Sequence, residues 1–456
     1  MEYYQEALNI YLDIYGETHG QTANIYNNIA FVYARLARYQ DALEKHEKVL
    51  AIRKSELGEN HVLTATSYIN MAYVYSCQGM FDEALEMQHK ALSIRMTVLG
   101  PEHPETLETY MNIASVYSET GNYDKALKIL NSIIPVYENT RGQYHLDTAA
   151  AYNNIAGVYY GMGNYSMSLE YFERALTIRE KTLGPKHPDT ATVYSNIASV
   201  YEDLGIYDKA LDYYEKTLTV WEQRFGTEHP NTAEAYNSIA TVFDAKGDYE
   251  KALELYVKAM HISEKVLGKE HLDTAISYNN VAAAIDAHGD HNAALELYQR
   301  VLTIRKRVLG ESHPDTAAIY NNIAAVYGEL GDSGKALDMY QKALKIYKTA
   351  LGEDHPNTAT VSNNIGTVYD SCGDYSNALK WMQIGLDIRE RVFGCKHLDT
   401  ADSYINIAAV LETIGDFSKA LELFEKAHSI FSAELGEDSL YTIYVEKSIA
   451  DLKETL

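Results

Sequence analysis

The sequence predicts an all-α solenoid, and three observations carry that prediction. Gly recurs at 16, 58, 100, 142, 184, 226, 268, 310, 352, 394 and 436, always 42 residues apart. Thr recurs in the same register eleven times, from Thr22 to Thr442. Within each unit the apolar residues fall at helical spacing, as in Tyr320, Ile323, Ala324 and Tyr327. No insertion or deletion breaks the phase, as expected for equal units stacked in one dimension.

Each unit reads as two helices. In the unit beginning at Thr316, the stripe Tyr320–Tyr327 makes helix A and Gly331 ends it. Ala336, Leu337, Tyr340, Ala343, Leu344 and Tyr347 make helix B, which Gly352 ends. Twenty of the 27 Gly sit at these two stops, where a left-handed C-terminal residue is needed. Pro after His suits a first helical turn, where its missing N–H costs nothing. Small Ala lets the helices approach and Tyr fills the space between them, which accounts for the 39 Tyr without chemistry.

The expected boundaries are a partial first repeat over 1–21, ten units over 22–441 and a capping helix over 442–456. Residues 2–15 match the later part of a helix B, with Tyr4 in the register of Phe172 and Ala7 in that of Ala175. This opening suggests a chain that starts inside a repeat. Residues 442–455 match one helix A, with Glu446 in place of the core Tyr and a polar "KSIADLKETL", as a solvent-facing cap requires. One unit is irregular: Pro135 stands inside a helix B and Arg141 where Leu is usual. Mid-helix Pro removes a hydrogen bond, so a bend or weak joint is expected near 135, between the third and fourth units.

The chain of 456 residues is too long for one compact core but suits an array. The excess of 64 Asp+Glu over 39 Lys+Arg gives a net charge of −25, which argues against nucleic acid and anionic membranes as partners. Three Cys without a CxxC pair imply a reducing compartment, and the cytoplasm is the expected location. No basic start with an apolar segment and no run near ~18 apolar residues marks export or membrane anchoring.

The spacing of Tyr320, Ile323, Ala324, Tyr327, Gly331, Ala336, Tyr340 and Ala343 resembles the tetratricopeptide repeat. The 42-residue form, with "ALTIREKTLGPKHPDTA" (175–191) and "VLTIRKRVLGESHPDTA" (301–317), is similar to kinesin light chain and nephrocystin-type repeats. The resemblance covers nearly the whole chain. It implies a right-handed superhelical solenoid whose helices A line a concave, peptide-binding surface.

A repeated "YNNIA" (26–30, 152–156, 320–324) places Asn mid-helix, where Asn is a mediocre helix former. With Asn321 at zero on the helical wheel, the core stripe centres near roughly −110° and Asn322 lies near roughly +100°. Both Asn therefore point away from the core. The Asn322 position is Asn in nine of ten units: Asn28, Asn70, Asn112, Asn154, Asn196, Asn280, Asn322, Asn364 and Asn406, with Ser238 in the tenth. The neighbouring position is looser, with Asn27, Asn153, Asn237, Asn279, Asn321 and Asn363. A carboxamide donates and accepts at once, so one per unit can pair with an extended peptide backbone. Alternatively, the Asn bond a neighbouring helix or loop and brace the stack.

Acids recur at the end of the same face: Glu119, Glu202, Asp203, Asp244, Asp286, Glu329, Asp370 and Glu412, against one base, Arg35. The Lys and Arg on which carboxylate-clamping relatives rely are missing, so the face favours ligands with basic or neutral side chains. A solvated inner wall is the competing reading of these acids.

Other signals carry less. Ten His recur at the 42-residue period, from His19 to His397, but stacked units place equivalent residues ~8–10 Å apart, too far to share a metal. The bland reading is a loop residue beside each helix A start. The Asp of "PDT" suits a helix N-terminus rather than catalysis. "GMGNYS" (161–166) follows no strand and is no phosphate loop. Trp221 and Trp381 lie in helix B stripes and read as packing, and Cys395 reads as an exposed loop residue. No cofactor, metal or catalytic residue is expected.

The expected function is a non-catalytic scaffold that holds an extended peptide or a helix. The kinesin light chain resemblance implies cargo-adaptor work, although no heptad coiled coil is present to support motor heavy chain binding. Two other readings stand beside it. One is the receptor or sensor region of a larger signalling protein, such as a nucleotide-switch protein; the other is a self-associating structural solenoid.

Overall fold

The computed structural model describes residues 2–36, 38–436 and 439–455. Among them there are 22 helices and no strand. The first is α1 (Glu2–Tyr15). Ten pairs follow: α2 (Gly20–Arg35) with α3 (Tyr39–Leu57), α4 (Val62–Cys77) with α5 (Phe81–Leu99), α6 (Pro104–Glu119) with α7 (Tyr123–Arg141), and α8 (Leu146–Gly161) with α9 (Tyr165–Leu183). The middle pairs are α10 (Pro188–Asp203) with α11 (Tyr207–Phe225), α12 (Pro230–Ala245) with α13 (Tyr249–Leu267), and α14 (Leu272–Ala287) with α15 (His291–Val308). The last are α16 (Pro314–Glu329) with α17 (Ser333–Ala350), α18 (Pro356–Ser371) with α19 (Tyr375–Phe393), and α20 (Leu398–Thr413) with α21 (Phe417–Leu435). The chain closes with α22 (Leu440–Thr455).

Two local devices reset the chain in every unit. Twenty Gly take positive φ, between 68° and 98°, and they are the twenty at the predicted stops. The Thr six residues after each end-of-B Gly donates its hydroxyl to that Gly's carbonyl, as Thr316 does to Gly310 at 2.9 Å. All eleven such Thr are fully buried. Gly and Thr share one period because they are the two ends of one hydrogen bond.

The second device is the histidine. Each of the ten periodic His is the N-cap of a helix A, and its Nδ1 accepts from the backbone N–H two residues on. This satisfies a donor that the first helical turn leaves free. The structure thus gives these side chains a structural role more specific than that of a loop residue.

Consecutive helices pack against each other through the whole chain, burying the Tyr and Ala stripes. Neighbouring helices A also touch, as α6 with α8 and α16 with α18, whereas among the described residues no pair of neighbouring helices B packs this closely. Helices A are therefore the inner layer of a curved array. The curvature brings distant units together. His313 Nε2 meets the Cys77 carbonyl at 3.1 Å and His355 Nε2 the Glu119 carbonyl at 3.3 Å, both across 236 residues. One superhelical turn thus takes about five and a half units. Other contacts join the same two coils: Leu36 lies beside His271, and Tyr123 stacks on Phe393 with ring centroids 6.3 Å apart. The second coil rests on the first.

Helix α7 runs through Pro135 as one 19-residue helix, with Pro135 on its exposed side. A continuous core from Leu107 to Ile178 crosses the junction between the third and fourth units. The looser packing lies within the third unit, between α6 and α7. At the far end Glu446 is exposed while Val445 and Leu452 are buried, so α22 covers α21 with one face and meets water with the other.

Candidate functional site

The inner surface is built from the faces by which helices A approach one another. Here the two Asn series meet. Asn70 Nδ2 donates to Asn27 Oδ1 at 2.8 Å, and Asn196 to Asn153, Asn322 to Asn279 and Asn364 to Asn321, each at 3.0 Å. Each bond joins the second Asn of one unit to the first Asn of the unit before. Weaker contacts within single helices, Asn279 to Asn280 at 3.4 Å and Asn321 to Asn322 at 3.5 Å, link Asn364, Asn321, Asn322, Asn279 and Asn280 into one chain.

Other units depart from this pattern. In the register of the bridges, Asn112 and Asn154 correspond to Ile69 and Met111 of the preceding units, which offer no carboxamide oxygen. Asn237 Oδ1 is buried without a partner. Asn363 is buried and turns its Nδ2 to Ser403 Oγ at 3.0 Å, away from the series; Asn406 half-lines a cavity beside it. Asn28 is exposed on α2. A carboxamide has two donor hydrogens and two acceptor sites, so one bridge leaves capacity on every bridged Asn. Bracing and ligand pairing are compatible, because the bridge fixes which way the amide points.

The acids occupy the last turn of helix A, along one rim. Three are tied to their own wall. Glu202 accepts from Tyr214 at 2.8 Å, Asp203 from Tyr165 at 3.4 Å, and Asp286 Oδ1 lies 2.7 Å from His291 Nδ1. Burial pushes the Glu202 carboxyl up to about 7, against the Tyr214 hydrogen bond that lowers it. Burial also raises Asp203, Asp244 and Glu119. Glu119 remains accessible to water, yet neighbouring atoms crowd it, and its backbone carbonyl receives His355 from the second coil. Glu329 and Glu412 are exposed and Asp370 is half-buried.

Sequence reasoning missed the arginines of helix B. Arg53, Arg95, Arg179, Arg305 and Arg389 each donate to the backbone carbonyl ten residues on, in the first turn of the next helix A. Their signal was the periodic "IR" dipeptide. They are packed beneath the inner surface, and Arg389 reaches it: with Thr360, Asn363, Asn364, Asp402, Ile405, Asn406, Tyr441 and Tyr444 it lines a cavity of about 500 Å³. Arg35 is exposed at the end of α2.

Trp221 is buried and Trp381 packs against a core cluster, while Cys395 is exposed. Among the described residues no group of three His, Cys, Asp or Glu is placed to hold a metal. Among the described residues no helix is long and apolar enough to cross a membrane.

The sequence matches the tetratricopeptide repeat family model in nine overlapping segments: 2–55, 21–95, 63–139, 147–218, 189–265, 245–307, 273–349, 315–383 and 357–433. The chain is a tetratricopeptide repeat protein. No curated protein sequence matches it significantly. Among solved structures, a Podosopora anserina protein assigned as a kinesin light chain, with nearly identical TPR-like repeats, is 25% identical. It covers 45% of this chain and 97% of its own length, with a TM-score of 0.39. BtubC (BKLC) of P. vanneervenii is 25% identical over 51% of this chain and 91% of its own, with a TM-score of 0.40. A Rap protein complexed with competence and sporulation factor covers 96% of this chain and 99% of its own at 13% identity and a TM-score of 0.46. Scores this low leave family membership resting on the repeat match. The repeats form a scaffold consistent with protein–protein interaction.

Proposed function

We propose that this tetratricopeptide repeat protein is a non-catalytic peptide-binding scaffold whose inner surface holds an extended segment by its main chain. The observation that carries this reading is the set of four Asn–Asn bridges, each of which fixes the orientation of carboxamides between two neighbouring helices A. The second Asn recurs in nine of ten units, and the bridged ones keep a free donor and acceptor, so they can engage backbone N–H and C=O whatever the side chains. The acidic rim, Glu119, Glu202, Asp203, Asp244, Asp286, Glu329, Asp370 and Glu412, selects basic or neutral ligand side chains and repels acidic ones. Cytoplasmic cargo-adaptor work of the kinesin light chain kind fits this chemistry.

The test is affinity capture with wild type and with a variant carrying Asn154, Asn196, Asn280 and Asn322 changed to Ala. We expect partners to be lost while the melting temperature falls by no more than a few degrees, since each lost bridge is worth about 1 kcal/mol. Retained partners with a large fall in melting temperature would make the Asn braces alone. A second reading, the sensor region of a larger signalling protein, draws on the contact between coils. A ligand that tightened or released that contact would change the length of the whole array.

A further inference from the structure

A cavity at the C-terminal end of the inner surface has a chemistry that differs from the rest. Asp402 stands on α20 at the position that is Ala318 in α16 and Glu108 in α6. Glu108 reaches Arg95 at 3.3 Å. Asp402 is one methylene shorter and makes no hydrogen bond or ion pair among the described residues, although Arg389 lines the same cavity. That arginine is already committed: Nη1 donates to the Asp399 carbonyl at 2.6 Å and to Ser403 Oγ at 3.0 Å, and Nη2 reaches Thr360 Oγ1 at 3.4 Å. The carboxyl is half-buried, and burial pushes it up to about 6 despite the pull of Arg389. A crowded carboxylate without its own partner is costly unless a cation joins it. Tyr441 and Tyr444 of α22 border the cavity with 59% and 56% of their surface exposed; Tyr441 stacks one face on Phe431, and its exposed surface and that of Tyr444 can take an aliphatic stem or a cation.

We propose that this cavity is a subsite for one cationic side chain, lysine or arginine, of the bound peptide, with Asp402 as its counter-ion and Tyr441 and Tyr444 flanking its stem. The assignment rests on the peptide-scaffold reading above and adds the identity of one ligand residue. At about 500 Å³ the cavity has room for a whole lysine or arginine side chain. An acidic side chain seeking Arg389 meets a residue that is 9% exposed, already hydrogen-bonded, and guarded by Asp402. Asn364 and Asn406 share the cavity wall, so a main chain lying on the Asn series passes beside the subsite.

The experiment uses an immobilised array of random decapeptides probed with wild type, Asp402→Asn and Asp402→Lys, with circular dichroism melting to confirm that each variant is folded. Wild type is expected to enrich Lys or Arg at one peptide position. Asp402→Asn should weaken those peptides by about tenfold, the cost of one charge-assisted contact, and leave peptides without the cation unaffected. Asp402→Lys should turn the preference at that position to Asp or Glu. Enrichment that persists unchanged in Asp402→Asn overturns the subsite, as does wild-type binding without any cation preference, and both outcomes leave the scaffold reading standing. Absence of peptide binding by the wild type removes the scaffold reading and the subsite together.

Discussion

The first and second coils use the same histidine for different ends. In the first, His145 and His187 cap α8 and α10 and are 42% and 40% exposed. In the second, His313 and His355 cap α16 and α18 in the same way, yet they are buried at 8% and 9%, because Nε2 of each faces a carbonyl of the first coil. His397 is likewise pressed against Gly163, with the Met162 carbonyl beside it. A residue placed by the repeat for a local purpose thus becomes a joint wherever superhelical geometry brings a second surface to it. Periodicity fixes what a side chain does within its unit. Its neighbours beyond the unit depend on its place along the superhelix.

The sharpest way to break this comparison is at Gly163 and Gly205, which hold the same position in successive units with φ of 68° and 70°. A Cβ on Gly163 would lie 1.8 Å from His397 Nε2, whereas one on Gly205 meets nothing within 4 Å. Gly205→Ala should cost about 1 kcal/mol, the left-handed penalty alone. Gly163→Ala should cost about 2–3 kcal/mol, because His397 must also move. Chemical denaturation measures both, and small-angle scattering should show a longer particle only for Gly163→Ala. Equal costs would mean that the coils do not press together in solution.

The next effect is smaller. His355→Asn and His145→Asn both keep an acceptor at the N-cap, but only the first removes a bond between coils. We expect about 1 kcal/mol for His355→Asn, a few tenths for His145→Asn, and a longer particle for His355→Asn alone. The smallest effect is with pH. Burial, the leading cause, holds His313, His355 and His397 below the ordinary histidine value of 6.5. A depressed histidine contributes stability above its unfolded value and loses it as pH falls toward the folded one. Protonation at Nδ1 also removes the acceptor that caps the helix. The radius of gyration should therefore rise between pH 6.5 and 5, and His355→Asn should blunt that rise. A radius flat across this interval would show that these histidines do not hold the coils together.

Much of this was legible in the chain itself. The 42-residue period gave the helix pairs, and every glycine assigned to a helix stop has the left-handed backbone that the stop requires. Thr and His were visible as periodic residues, but their hydrogen bonds were not, because partners six and two residues away give no pattern distinct from the period itself. The Asn bridges were half visible. Each series could be counted, whereas the pairing of Asn322 with Asn279 links two different positions of adjacent units, an offset of 43 residues. The helix B arginines were hidden in the consensus, since a helix B residue does not announce that it reaches the first turn of the next helix A.

The sequence by itself determined the unit: two helices, their caps, their stops and the Tyr and Ala that pack them, all set by contacts within about one period. Only the tertiary structure decided the pitch. Small rotations between neighbouring units accumulate until the turn after α4 lies against the loop before α16. No local pattern encodes that sum. It alone decides which of ten equivalent histidines are buried, and that Asp402 lines a cavity of the inner surface with no hydrogen bond or ion pair of its own among the described residues.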